Sequence, residues 1–335
     1  MKPVIFGTSG LRLTADEKAF FKDSDPAGYI IFGRNIENKQ QLLALTDELR
    51  ALHGRENLAI LIDQEGGRVA RMKEPVWPKF PSGEIFSRLY DIAPATAIEA
   101  ARLNAQAIAE SLSEVGVTVN CLPLLDVRQP ETVDAIGDRA MGSDPMQVAA
   151  LGRAVIDGQK QGGVVSVVKH MPGHGRAVVD SHMELPHVSA SREQLETDIA
   201  PFRSLSGAAM GMTAHIVYEA WDHDRCASLS PIVINDIIRG EIGFDGLLFS
   251  DDLDMKALKG EVPSRARDVV AAGCDIALNC WGRMDEMVAT VQLLDDISDV
   301  SRQRLDRAMA VENTDRQHAE LAELLSRRDA LLAVA

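Results

Sequence analysis

Short apolar runs recur along the chain through residue 279, and along most of them apolar residues do not alternate with polar ones. PVIF (3–6), GYIIF (28–32), LAILI (58–62), VTVNCL (117–122), VVSVV (164–168), AAMGMT (208–213), GLLFS (246–250) and CDIALN (274–279) are each apolar at most positions. A run of that length with no polar face fits a strand buried on both sides. Between the runs lie longer stretches with helical spacing, including NKQQLLALTDELRALH (38–53), ATAIEAARLNAQAIAESLSEVG (95–116) and PMQVAALGRAVIDGQKQG (145–162). SPIVINDIIRGEIG (230–243) opens on Ser-Pro, a cap followed by a first-turn proline, and closes on glycine. Strands alternating with helices predict a parallel sheet covered on both faces. Eight such units match a (β/α)8 TIM barrel, with a doubly wound open sheet as the alternative. No linker or repeat divides the chain. The reading is a single domain, with the barrel over residues 1–300 and a charged helical extension over 301–335 packed on it.

Composition narrows the function. The net charge of -15 argues against a nucleic-acid partner. The four cysteines, Cys121, Cys226, Cys274 and Cys280, show neither CxxC pairing nor close metal spacing and read as reduced thiols. MKPVIFGTSG holds too short an apolar run for a signal-peptide core, and no run approaches the ~18 residues of a membrane span. The expectation is a soluble, cytoplasmic, monomeric metabolic enzyme with no membrane partner.

Chemistry-capable residues gather directly after the runs. DQEGGRVAR (63–71) follows the third, PLLDV (123–127) the fourth and KHMPGHG (169–175) the fifth. AH (214–215), DDLDM (251–255) and CWGR (280–283) follow the last three. In a barrel these are the strand ends that build the active-site face. A scatter of charges would not respect strand polarity in this way.

KHMPGHG followed by DSH (180–182), together with DQEGGRVAR and GFDGLLFSDDLDM (243–255), resembles the family-3 glycoside hydrolases. The likeness is narrower to their bacterial single-domain β-N-acetylglucosaminidase branch, and covers roughly residues 3–300. Two departures stand out. Met171 occupies a position that is usually aromatic in the family, and LDMKAL (253–258) replaces a more usual LSMEGA.

The resemblance implies roles for eight residues. Asp251 would attack the anomeric carbon, as a retaining glycosidase requires. The bland alternative is that Asp251 or Asp252 caps a helix beginning near Asp254. His182 would be the acid/base, since an imidazole titrating near 6.5 can donate in one step and accept in the next. Asp180 would fix its tautomer. The competing reading is an incidental surface turn. Lys169 and His170 would bond sugar hydroxyls, and Asp63, Arg71 and Arg139 would complete the substrate pocket through bidentate contacts. His174 would brace the loop. Zinc on His170 and His174 is disfavoured because Pro172 and Gly173 break the helical spacing of a two-histidine site. Gly66 and Gly67 read as a tight turn, Trp77 and Trp281 as core or rim, and Cys280 as buried and inert.

The whole predicts a retaining exo-β-N-acetylglucosaminidase acting on a glycan or muropeptide, working through a glycosyl-aspartate without metal or organic cofactor. Its rivals are a metal-dependent amidohydrolase, a phosphorylase and a silent sugar-binding protein. A His acid/base, unlike an anionic Glu, would not repel phosphate.

Overall fold

A computed structural model describes residues 1–310 and 316–334. Eight parallel strands close into a barrel: β1 (Lys2–Gly7), β2 (Pro26–Ile31), β3 (Ala59–Ile62), β4 (Val119–Asn120), β5 (Val165–Met171), β7 (Met210–Thr213), β9 (Leu247–Asp252) and β10 (Ile276–Asn279). Two short strands, β6 (His187–Val188) and β8 (Val217–Tyr218), pair with each other above the rim. All eight expected runs are barrel strands.

Alternation along the strands explains why the runs are apolar throughout. Ile5, Ile30, Leu61, Val167, Phe249 and Leu278 share one cluster inside the barrel. Their neighbours Val4, Phe6, Tyr29, Ile31, Ile60, Ile62, Val168, Leu248 and Ala277 belong to the layer beneath the helices. Each large side chain so buried contributes roughly 1.5–3 kcal/mol of transfer free energy. Both faces of most strands therefore demand apolar residues, and helices α1 (Lys39–His53), α2 (Pro94–Ser113) and α3 (Pro145–Gln161) supply much of the outer cover.

The expected helix after Ser230-Pro231 is present, but Val233–Glu241 is wound with the wider π turn. Ser230 Oγ accepts from the Val233 N–H at 3.1 Å, as a cap should. No helix begins near Asp254; residues 253–258 form turns and the next helix runs Val262–Ala272. The extension contains two helices, Asp299–Ala310 and Leu321–Leu332. The first closes the barrel floor, its Leu305, Ala308 and Met309 joining the interior cluster. The second lies on α2, where Arg328 donates to Asn104 Oδ1 at 3.0 Å. Residues 311–315 and 335 of that extension lie outside the described residues. Among the described residues, no helix is long and apolar enough to cross a membrane.

Candidate active site

The inward phase of each strand carries into the barrel mouth. Positions 59 and 61 face inward on β3, so Asp63 continues that face; 165 and 167 lead to Lys169, and 247 and 249 to Asp251. With Phe32 and Cys280 these residues line a cavity of about 300 Å³ at the C-terminal ends of the strands. All eight expected site residues, Asp63, Arg71, Arg139, Lys169, His170, Asp180, His182 and Asp251, line this one cavity.

Its floor is a closed charge network. Lys169 Nζ lies 3.0 Å from Asp63 Oδ1 and 2.7 Å from Glu65 Oε1. Arg71 reaches the other Asp63 oxygen at 3.0 Å, and Arg139 grips Glu65 with two bonds of 2.8 Å. Burial alone would raise both carboxyls. Lys169 and Arg71 instead hold Asp63 well below its ordinary range, while Arg139 and Lys169 hold Glu65 down to about 2. For Lys169 burial opposes the charge, and the two carboxylates more than compensate, so the ammonium stays protonated.

A second network fixes the histidines. Asp126 is fully buried; Oδ2 lies 2.8 Å from His170 Nδ1, and Oδ1 accepts from the backbone N–H groups of His170 and His174 at 3.1 and 2.7 Å. His215 lies with Nδ1 2.5 Å from Ser228 Oγ and Nε2 3.1 Å from the Asp252 carbonyl oxygen. Burial would raise Asp251, but the nearby His170 and His215 rings, the Asp252 N–H at 2.8 Å and Lys169 keep it below its usual value. Burial pushes the adjacent Asp252 the other way, to about 7. Two consecutive carboxyls thus divide into one held as an anion and one held partly neutral.

The third component is exposed. Asp180 Oδ1 accepts the His182 N–H at 2.9 Å and lies 2.8 Å from His182 Nδ1, with 65% of the His182 side chain open to solvent. Between them, Ser181 points inward, 3.4 Å from His174 Nε2, and its carbonyl accepts from the Ala257 N–H at 3.2 Å. His174 braces the loop as expected, and the divergent LDMKAL segment is the shelf on which the loop rests.

A model of the glycosyl hydrolase family 3 N-terminal domain matches residues 4–311. The chain belongs to this family.

It is therefore a glycoside hydrolase, and the relatives agree. A β-hexosaminidase of Alkalilimnicola ehrlichii is 38% identical over 310 residues, covering 91% of this chain and 88% of the relative. NagZ from Neisseria gonorrhoeae, solved in complex with N-trifluoroacetyl-D-glucosamine, superimposes with a TM-score of 0.88 at 33% identity, covering 100% of this chain and 98% of that one. A family-3 β-N-acetylglucosaminidase from Paenibacillus sp. gives a TM-score of 0.85 at 30% identity, covering 98% of this chain and 67% of that one.

Several residues of this family-3 site escaped sequence reasoning. Glu65 stands in DQEGGRVAR directly before the Gly66-Gly67 turn and was assigned no role of its own. The turn exists, with Gly66 and Gly67 at φ +104 and +57, and a Cβ on Gly66 would meet the Pro81 carbonyl oxygen at 2.2 Å. Yet the Glu65 carboxylate is also a floor residue. Asp126 and His215 stood at strand ends, the one available signal, and were not singled out. Met171 is fully buried, and its Cε fills the space that a side chain on Gly211 would need. Trp77 is core, Trp281 lies exposed at the rim, and Cys280 is buried with its thiol pushed up.

Proposed function

We propose that the enzyme is a retaining exo-β-N-acetylglucosaminidase that removes terminal GlcNAc from muropeptide-type substrates. The observation that carries this reading is the pairing, across one cavity, of a desolvated anionic carboxylate with an exposed Asp–His couple. Asp251 attacks the anomeric carbon and forms a glycosyl-aspartate. His182 gives its proton to the departing oxygen, then takes one from the incoming water as the ester is broken. Asp180 holds the imidazole in one orientation and stabilises its cationic form. Asp63 and Arg71, with Lys169, His170 and Arg139, orient the sugar hydroxyls and acetamido group. A cavity of about 300 Å³ is at the small end of ligand sites and suits one sugar ring, hence removal from a chain end. The β-hexosaminidase and NagZ relatives support the choice of an N-acetylated sugar. The assignment draws on no cofactor, and the cytoplasmic setting is part of the same proposal.

Turnover of 4-nitrophenyl β-GlcNAc should far exceed that of the glucoside, and Asp251→Asn should abolish it while the circular dichroism spectrum is unchanged. A slow fluorinated glycoside should leave its adduct on Asp251 in peptide mass spectra. An adduct on another residue, or an oxazoline product, would overturn the assignment.

A further inference from the structure

The loop that carries Asp180 and His182 leaves β5 at Met171 and is pinned along its first part. Asp126 Oδ1 accepts the His174 N–H at 2.7 Å, and the Tyr218 hydroxyl donates to the Gly173 carbonyl at 2.7 Å. The Thr132 hydroxyl donates to the Gly175 carbonyl at 2.5 Å, and the Val133 N–H to that of Ala177 at 2.9 Å. Over residues 178–184 the hydrogen bonds leading away from the tip reduce, among the described residues, to those of Ser181 at 3.2 and 3.4 Å. The stem, not the tip, sets where the Asp180–His182 couple points.

Among the described residues, a single ion pair joins residues 171–186 to another part of the chain. Arg176 Nε donates to Asp198 Oδ2 at 2.6 Å and Nη2 to the Gln194 carbonyl at 3.0 Å, so the guanidinium spans one turn of the helix Arg192–Ser204. The loop backbone also bears on Asp198 directly. A Cβ on Gly173, at φ +138, would meet the Asp198 Cβ at 3.0 Å. Asp198 is a costly choice for a purely structural tie. It is 1% exposed, and its Oδ1 is buried with no hydrogen-bond partner. Burial pushes the carboxyl up to about 6; Arg176 offsets only part of this, and the buried Asp126 carboxylate adds to it. The Tyr218 hydroxyl, kept neutral by its own burial, is the remaining titratable group beside it. A carboxyl so placed favours the folded state more when neutral than when ionised. Yet only the ionised form holds Arg176 at full strength. A tie that works against stability is accounted for by what it positions.

We propose that Arg176 and Asp198 are positioning residues, whose ion pair fixes the loop stem so that the Asp180–His182 couple meets the sugar held over Asp251. This rests on the acid/base reading above and adds the groups through which the loop is set. Neither residue touches the sugar; both act through His182. The tie is complete above about pH 6 and is lost as pH falls through that value. Loss of the His182 proton limits activity on the opposite, alkaline side.

The test follows the full-length enzyme on a β-GlcNAc disaccharide across pH. Asp198→Asn should lower kcat by about tenfold above the inflection, with KM little changed because the sugar floor is untouched. Wild type should show an acid-side inflection at about pH 6 that this variant lacks. Asp252 also titrates in this region, at about 7, so the decisive signal is the part of the inflection that Asp198→Asn removes. The nitrophenolate burst from 4-nitrophenyl β-GlcNAc, which needs no proton, should hardly change. Arg176→Gln should lower kcat on the disaccharide likewise, and Arg176→Lys, which keeps the charge, should recover much of it. An unchanged pH profile in Asp198→Asn, or equal losses on the disaccharide and in the burst, would overturn the positioning role. Should Asp198→Asn fail to fold, the two Arg176 variants decide, and equal losses in Gln and Lys would overturn it. An undiminished disaccharide rate in His182→Ala would instead remove the acid/base reading beneath it.

Discussion

The floor of the cavity and the loop above it hold their charges by opposite means. On the floor, Lys169 is 2% exposed and touches two carboxylates, each of which is held by a further arginine. On the loop, Asp180 and His182 have each other and solvent, the anchorage being left to Ser181 between them. Groups that must stay in one protonation state are buried in a network where each charge is matched. In the proposed mechanism the group that gains and loses a proton, His182, sits where water can reach it. If the proposed roles hold, the difference teaches that orienting and proton transfer impose incompatible demands, met by separate chain segments.

The contrast can be broken most severely from below. Lys169→Met leaves Asp63 and Glu65 buried together with one cation fewer between them. A loss of about 3–5 kcal/mol is expected, as for other buried pairs robbed of a partner; denaturant unfolding measures it. A smaller effect comes from acid. Glu65 and Asp63 are both depressed in the folded state, so their stabilisation is complete above the ordinary carboxylate range and is lost as pH falls. For Glu65 the window runs from about 4.5 down to about 2. Unfolding free energy should decline through that range, and Glu65→Gln should flatten its share of the slope. The smallest change belongs to the loop. Asp180→Asn should alter stability by no more than about 0.5 kcal/mol, the usual scale for an exposed pair. Its catalytic defect should nonetheless be clear on substrates with poor leaving groups. A large stability loss there would mean that the loop is structural and would erase the distinction.

Much of this was legible in the sequence because strand phase is local. Ile60, Leu61 and Ile62 lead to Asp63 as Val167 and Val168 lead to Lys169, whereas the choice of Asp251 over Asp252 came from the family resemblance, and both line the cavity. The capping alternative was half right: Asp252 Oδ1 does accept from the Asp254 N–H, at 3.0 Å, but in a turn with no helix behind it. What stayed hidden depends on distant partners. Nothing around Glu65 announces Arg139, 74 positions away, and the apolar PLLDV gives no sign that Asp126 receives two backbone N–H groups from a loop 44 and 48 residues on.

The central claim is that the proton is handled on the loop and not on the floor, and His182→Ala tests it most directly. Cleavage of a natural-type disaccharide should fall by roughly 10²- to 10⁴-fold, the usual worth of general acid/base catalysis. Formation of the glycosyl-enzyme from a 4-nitrophenyl glycoside should suffer far less, because nitrophenolate leaves unassisted. The intermediate should then accumulate, and azide, which needs no deprotonation, should restore turnover. Equal losses on both substrates without azide rescue would contradict the account, and the acid would have to lie among the residues of the floor.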